Sequence, residues 1–176
     1  MYHGANRLGG NSLLAAIYSG HVAANAINTL AETKDCPNFE TYISEQEQVL
    51  EKRLQSKSRF SAVHVRHEIA KLLNDCLGIT RTEEKLLEGI KSVDYYISVS
   101  EKLIYDTDVS PYIGYSLQPM ILLARAILTS ALSRKETRGS HIREDYPQRS
   151  DEFALCSVCD YKNGEHHISY KKEDEL

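Results

Sequence analysis

The residues best suited to chemistry open the chain: His3-Gly4-Ala5-Asn6-Arg7-Leu8-Gly9-Gly10-Asn11-Ser12-Leu13. Glycines on both sides of Arg7 let backbone pass close to a ligand while the guanidinium projects into it. A helix starting at Ser12 turns free N–H groups and a positive dipole end toward the same place. The combination suits an anion, or a ring that becomes anionic. The same residues also fit a plainer arrangement, a Gly-rich turn into a capped helix with Arg7 in a structural ion pair. Spacing alone favours the plainer one, because short Gly motifs are common.

A second group lies near the far end. Cys156 and Cys159 precede, and His166 and His167 follow, an Asn163-Gly164 pair that marks a tight hairpin turn. Two cysteines and two histidines are a tetrahedral zinc set, and a hairpin could bring the pairs together. Cysteines three apart do not share one face of a regular strand, so ordinary hairpin residues are the better reading. His64 and His67, with Glu68 beside them, fall on one face of a predicted helix. No further ligands stand out on another helix, and a solvated polar face is the simpler account.

Composition narrows the classes. The 176 residues are 41% hydrophobic and 26% charged, as in ordinary globular chains. That length supports one core, or one domain with an appended piece. A net charge of -4 and a pI near 6.0 leave no basic footprint, so no nucleic-acid partner is expected. No apolar run reads as long enough to span a bilayer, and no charged-then-apolar leader opens the chain. Cys36, Cys76, Cys156 and Cys159 are too sparse for a disulfide scaffold, so reduced thiols in a cytosolic setting are expected.

The elements that must position these residues are mostly helical. Ser12 is predicted to cap a mostly buried helix running to about Ala31, with small residues (Ala15, Ala16, Ser19, Gly20, Ala23, Ala24) permitting close approach of a neighbour. Its apolarity nearly all round calls for cover on several sides, more than this chain promises. After a break at Asp35-Cys36-Pro37-Asn38 comes an exposed helix over 41–57. Ser61 caps a helix carrying Val65, Ile69, Leu72, Leu73 and Cys76, which Gly78 ends with a left-handed stop. Thr82, Glu83 and Glu84 start a helix carrying Leu86, Leu87, Ile90, Val93 and Ile97. The last long helix is predicted over 116–135, with Pro119 in its first turn. Tyr95 and Tyr96 cannot share a helix face, so one is expected in the core and one at the surface. Long helices with short connections predict an up-down, three-helix, spectrin-repeat-like bundle. Phe153 to Tyr161 and His167 to Lys171 are predicted to pair as a C-terminal β-hairpin that leans on something else.

Two segments resemble a known family. The run from His3 to Leu13 resembles the motif by which the flavoprotein subunits of succinate dehydrogenases and fumarate reductases return to their flavin. Glu136-Thr137-Arg138-Gly139-Ser140-His141-Ile142-Arg143-Glu144-Asp145-Tyr146-Pro147 is similar to the segment after that family's C-terminal helical bundle. The helices between, including 66–77 and the Gly78-Ile79 turn, fit the family's bundle in order and length. The resemblance thus covers nearly the whole chain.

It implies a mostly α fold divided into 1–35, the end of an FAD-binding domain; 36–138, the helical bundle; and 139–176, a tail with the hairpin. It implies that Arg7 holds a carboxylate of a dicarboxylate substrate, and that Ser12 and Leu13 contribute FAD contacts. His3 matches a residue next to the flavin, without a definite role. The reaction implied is hydride transfer between flavin and one carbon of fumarate or succinate. The family's nucleotide-binding glycines, flavin-attachment histidine, capping domain and proton-delivering arginine have no matching segment here. The chain is therefore expected to be a shortened or split piece, inactive alone and not retaining FAD by itself. Its expected partners are the missing N-terminal FAD-binding and capping domains and an iron–sulfur subunit. A cytoplasmic location is expected, with membrane association only through other subunits. An aspartate-oxidase-like flavoprotein fragment and a non-catalytic helical interaction module are the alternatives.

Overall fold

A computed structural model describes residues 11–29, 38–54, 61–100, 111–172 and 175. The chain forms two compact units, 1–47 and 48–176.

In the first unit, α1 (Asn11–Thr29) takes the predicted helical path. The expectation that it is mostly buried is corrected: Leu13, Leu14, Ile17, Val22 and Ile27 are 45% to 69% exposed. The cause is the apolarity already noted, which needs cover on several sides that the described residues do not provide. A Cβ at Gly20 would meet nothing within 4 Å, so the small-residue face has no close neighbour here either. Ser12 sits within the first turn and not at the cap, because the helix begins at Asn11. The polar helix α2 (Glu40–Leu54), whose residues from Gln48 on are counted with the second unit, starts where the Asn38 side chain accepts from the Glu40 N–H at 2.8 Å. It exposes Tyr42, Ile43 and Val49.

The second unit holds the core. Helix α3 (Ala62–Leu77) is capped by Ser61, whose hydroxyl accepts from the His64 N–H at 3.2 Å. Helix α4 (Glu83–Val99) is capped by Thr82 in the same way, from Lys85 at 3.3 Å. Both caps are those predicted. Helix α5 (Pro111–Ser133) begins earlier than expected, so Pro119 lies inside it and not in the first turn. Pro111 is the proline that occupies the start, where a missing N–H costs nothing. The three helices pack on one another through Val65, Ile69, Cys76, Leu86, Val93, Leu117, Ile121, Ala124 and Leu128. Tyr96 lies against this core while Tyr95 is half exposed. Among the described residues, Ile113–Ser133 is long and apolar enough to cross a bilayer by length and composition, which corrects the sequence expectation. In this fold its apolar stripe is the bundle core.

Two glycines are needed where they stand. Gly78 does not adopt the left-handed stop: its φ is -41° and ψ -149°. Its requirement is close approach, since a Cβ there would lie 3.0 Å from the Asn74 carbonyl oxygen. Gly89 is where the helices meet, with Cys76 Sγ at 3.0 Å and Leu128 Cδ2 at 3.2 Å from a would-be Cβ. Gly89→Leu is expected to destabilise the bundle by about 3 kcal/mol through overpacking, which exceeds the gain in helix propensity of about 1 kcal/mol. A lowered urea midpoint at unchanged slope checks it.

The tail forms the hairpin, β1 (Cys156–Lys162) paired antiparallel with β2 (Glu165–Lys171). Asn163 (φ 54°) and Gly164 (φ 84°) make the turn, both in the left-handed region that the Asn-Gly pair favours. Phe153 is not in the strand but in a short 3-10 turn, Asp151–Phe153. The support for the hairpin is α5: the Ser133 and Tyr170 hydroxyls bond at 2.8 Å, and Arg125 Nη1 lies 3.2 Å from His166 Nδ1.

Candidate functional site

The N-terminal motif is described only at its end. Arg7, with His3 and the rest of 3–10, lies outside the described residues. Ser12 is half-buried in the first turn of α1, and Leu13 on the same turn is 69% exposed. The start of that helix therefore presents a large apolar side chain outward.

The second motif is described completely, and it is a buried ionic clasp. Glu136, just beyond α5, is fully buried. Its Oε1 accepts from Arg134 Nη1 and Arg138 Nε, both at 2.7 Å, and its Oε2 accepts from the Ser150 N–H at 3.0 Å. Burial pushes this carboxyl up, but hydrogen bonds from Arg138, the Ser150 amide and Arg134 outweigh burial and hold it at about 2.

Arg143 is also fully buried. Its Nη1 donates to the carbonyls of Ala131 (2.9 Å), Leu132 (3.2 Å) and Arg134 (3.3 Å), the unsatisfied acceptors at the end of α5. Its Nε and Nη2 grip Asp145 bidentately at 2.8 and 2.7 Å. Asp145 Oδ2 in turn accepts from the Glu83 N–H at 2.8 Å, at the first turn of α4. One ion pair thus places a cation at one helix C-terminus and an anion at another's N-terminus, the favourable sense for both dipoles. The Arg143 hydrogen bonds, against burial, hold the Asp145 carboxyl at about 2.

Arg134 donates from all three nitrogens, to Glu136, the carbonyls of Phe153 and Leu155, and Ser157 Oγ. Its guanidinium also lies 5.3 Å from the Tyr170 ring centroid. Because every nitrogen of Arg134 and Arg143 is engaged, neither is placed to hold a substrate. Through these bonds Arg134 joins the end of α5 to β1 at Ser157, and Arg143 with Asp145 joins it to the start of α4.

Sequence reading missed Arg81. Its N–H donates to the Ile142 carbonyl at 2.9 Å and its carbonyl accepts from Glu144 at 3.0 Å, pairing the α3–α4 turn with the 142–144 segment. Its side-chain Nη1 donates to the Ser140 carbonyl at 2.8 Å.

The zinc candidates are not brought together. In the hairpin register Cys156 faces Lys171, Cys159 faces Ile168, His167 faces Asp160 and His166 faces Tyr161. Among the described residues no group of three or more His, Cys, Asp or Glu side chains could hold a metal. His64 and His67 are exposed on α3, as predicted.

Three packed helices, closed by a charged clasp and followed by a two-stranded hairpin, define a helical domain with an appended tail. Residues 66–174 match the family described as fumarate reductase flavoprotein C-term. The chain belongs to that family, the C-terminal portion of succinate dehydrogenase and fumarate reductase flavoproteins. It is 30% identical over 155 residues to an uncharacterized FAD-dependent oxidoreductase of Methanocaldococcus jannaschii, covering 86% of this chain and 28% of that protein. It is 29% identical to the succinate dehydrogenase flavoprotein subunit of Bacillus subtilis, covering 85% of this chain and 28% of that subunit. The fold matches a chain of the Mycobacterium smegmatis Sdh1 complex in the apo form with a TM-score of 0.75 at 20% identity, covering 96% of this chain and 30% of the other. This chain therefore spans little more than a quarter of these relatives' length.

Proposed function

We propose that this chain supplies the C-terminal part of an FAD-dependent oxidoreductase that interconverts fumarate and succinate, and that it does not act alone. The observation carrying this reading is the family match over 66–174, joined to a preceding helix whose large apolar residues are exposed. Those side chains are read as the surface that the remainder of the flavoprotein covers. Residues 1–35 then belong with an FAD-binding domain, 36–138 form the helical domain and 139–176 the tail.

In this reading Arg7 clamps one carboxylate of the dicarboxylate. A planar guanidinium matches a carboxylate with two parallel hydrogen bonds, which fixes orientation as well as charge. Ser12 and Leu13, in the first turn of α1, fit a flavin contact: the N–H groups of a helix start stabilise negative charge, and Leu13 offers apolar cover. The flavin supplies hydride transfer to or from one substrate carbon. The clasp around Glu136 and Arg143 keeps the helical domain rigid and touches no substrate. The partners proposed are the N-terminal FAD-binding and capping domains and an iron–sulfur subunit, in the cytoplasm and at the membrane only through other subunits.

Assaying the complete flavoprotein with reduced dye and fumarate, and with oxidised dye and succinate, tests the reading. Turnover of this pair is expected. Turnover of L-aspartate in their place, with neither fumarate nor succinate used, would assign an aspartate oxidase.

A further inference from the structure

We propose that the cleft between the end of α3, the C-terminal half of α5 and the segment around His141 binds a small carboxylate bearing a short hydrocarbon chain, with Arg81 as its charged anchor. The cleft measures about 260 Å³ and combines an apolar wall of Leu77, Ile127 and Ala131 with Arg81, Arg134 and His141. It lies wholly within the second unit and involves none of the residues of the opening motif.

Of the two arginines lining the cleft, Arg134 has a carboxylate partner in Glu136, which leaves Arg81 as the anchor. Arg125, Arg134, Arg138 and Arg143 each have a carboxylate partner at 2.6 to 2.7 Å. Arg81 has none among the described residues. Its side chain makes one bond, to the Ser140 carbonyl, and its buried Nε has no hydrogen-bond partner. A guanidinium partly removed from water without an opposing charge is costly, and burial weakens its hold on the proton. An anion in the adjoining cleft removes that cost. Arg134 adds positive field, although its own nitrogens are engaged.

His141 makes the cleft readable. Its Nε2 must carry a proton, because it donates to the Arg134 carbonyl at 3.1 Å. Burial pushes its pKa down, against the hydrogen bond to the Arg134 carbonyl, and the charges of Arg81, Arg143 and Arg134 add to the lowering; no carboxylate is among the groups acting on it. A bound carboxylate would push it back up. The apolar wall decides the chemical class, since a bare inorganic anion would gain nothing from Ile127, which is 42% exposed. The cleft volume of about 260 Å³ leaves room for a ligand of about six heavy atoms.

The test is an NMR titration of the full chain with butyrate at constant ionic strength, following the methyl groups of Leu77 and Ile127 and the His141 ring. Saturable shifts at all three are expected, with a rise in the His141 pKa. Butyrate should bind at least about tenfold more weakly to Arg81→Gln. Ile127→Glu, at an exposed position where the fold is not at risk, should weaken it comparably by opposing the anion. If Arg81→Gln does not fold, the Ile127→Glu result decides. Unchanged affinity in both variants overturns the site. Equal binding of 1-butanol reduces it to apolar contact, and equal binding of phosphate to a generic anion contact; either overturns the proposal.

Discussion

Arg7→Ala in the complete flavoprotein is expected to lower fumarate turnover by about a thousandfold, while FAD remains bound at full stoichiometry. The magnitude follows from two charge-assisted hydrogen bonds at roughly 2 kcal/mol each, lost where the charge on the substrate must be met. Steady-state rates with reduced dye, set beside the flavin absorbance of the purified protein, check both halves. Arg7→Lys should recover only a small part of the loss, because a point charge cannot reproduce the bidentate geometry. A variant that lost flavin along with activity would instead place Arg7 in cofactor retention.

The second large effect concerns stability. Glu136→Gln is expected to cost about 3 kcal/mol in unfolding free energy, because it leaves the guanidiniums of Arg134 and Arg138 facing an amide in a covered site. Chemical denaturation of the chain at pH 7 measures it. The same clasp sets an acid limit. Glu136 and Asp145 have folded pKa values of about 2, below their ordinary 4.5 and 3.8. A depressed carboxylate contributes stability that is present above its unfolded pKa and lost as pH falls through the folded one. Stability should therefore decline from about pH 5 down to about pH 2. The Glu136→Gln chain should show a shallower decline, because one of the two carboxylates no longer titrates.

Much of the helical architecture was legible because its signals are local. Ser61 and Thr82 announce helix starts by chemistry confined to three residues, and Asn163-Gly164 announces its turn by backbone preference alone. The start of α5 was misread because both Pro111 and Pro119 suit a first turn, and only packing against α3 and α4 selects the longer helix. Gly78 misled for a related reason: a glycine after a helix suggests a left-handed stop, whereas here it is required by the nearby Asn74 carbonyl. The clasp was legible as a motif but not as a structure. Charged residues spaced like Arg134, Glu136, Arg138, Arg143 and Asp145 ordinarily read as surface, and burial of Glu136 depends on contacts from Ser150 and two arginines that sequence does not display as a group. Arg81 acquires meaning only through the 140–144 segment, some sixty residues away in sequence. For α1 the composition did foretell a helix needing more cover than the described residues provide, although not which residues would remain exposed.

The most direct test of the central claim, that Arg7 receives a dicarboxylate carboxylate beside the flavin, is a binding measurement without turnover. Succinate is titrated into the oxidised complete flavoprotein and the flavin absorption spectrum is followed, in the parent and in Arg7→Ala. The account predicts a saturable spectral change in the parent that is lost, or moved to at least about a hundredfold higher succinate, in the variant with its FAD content intact. The same spectral change at the same succinate concentration in both proteins would contradict it.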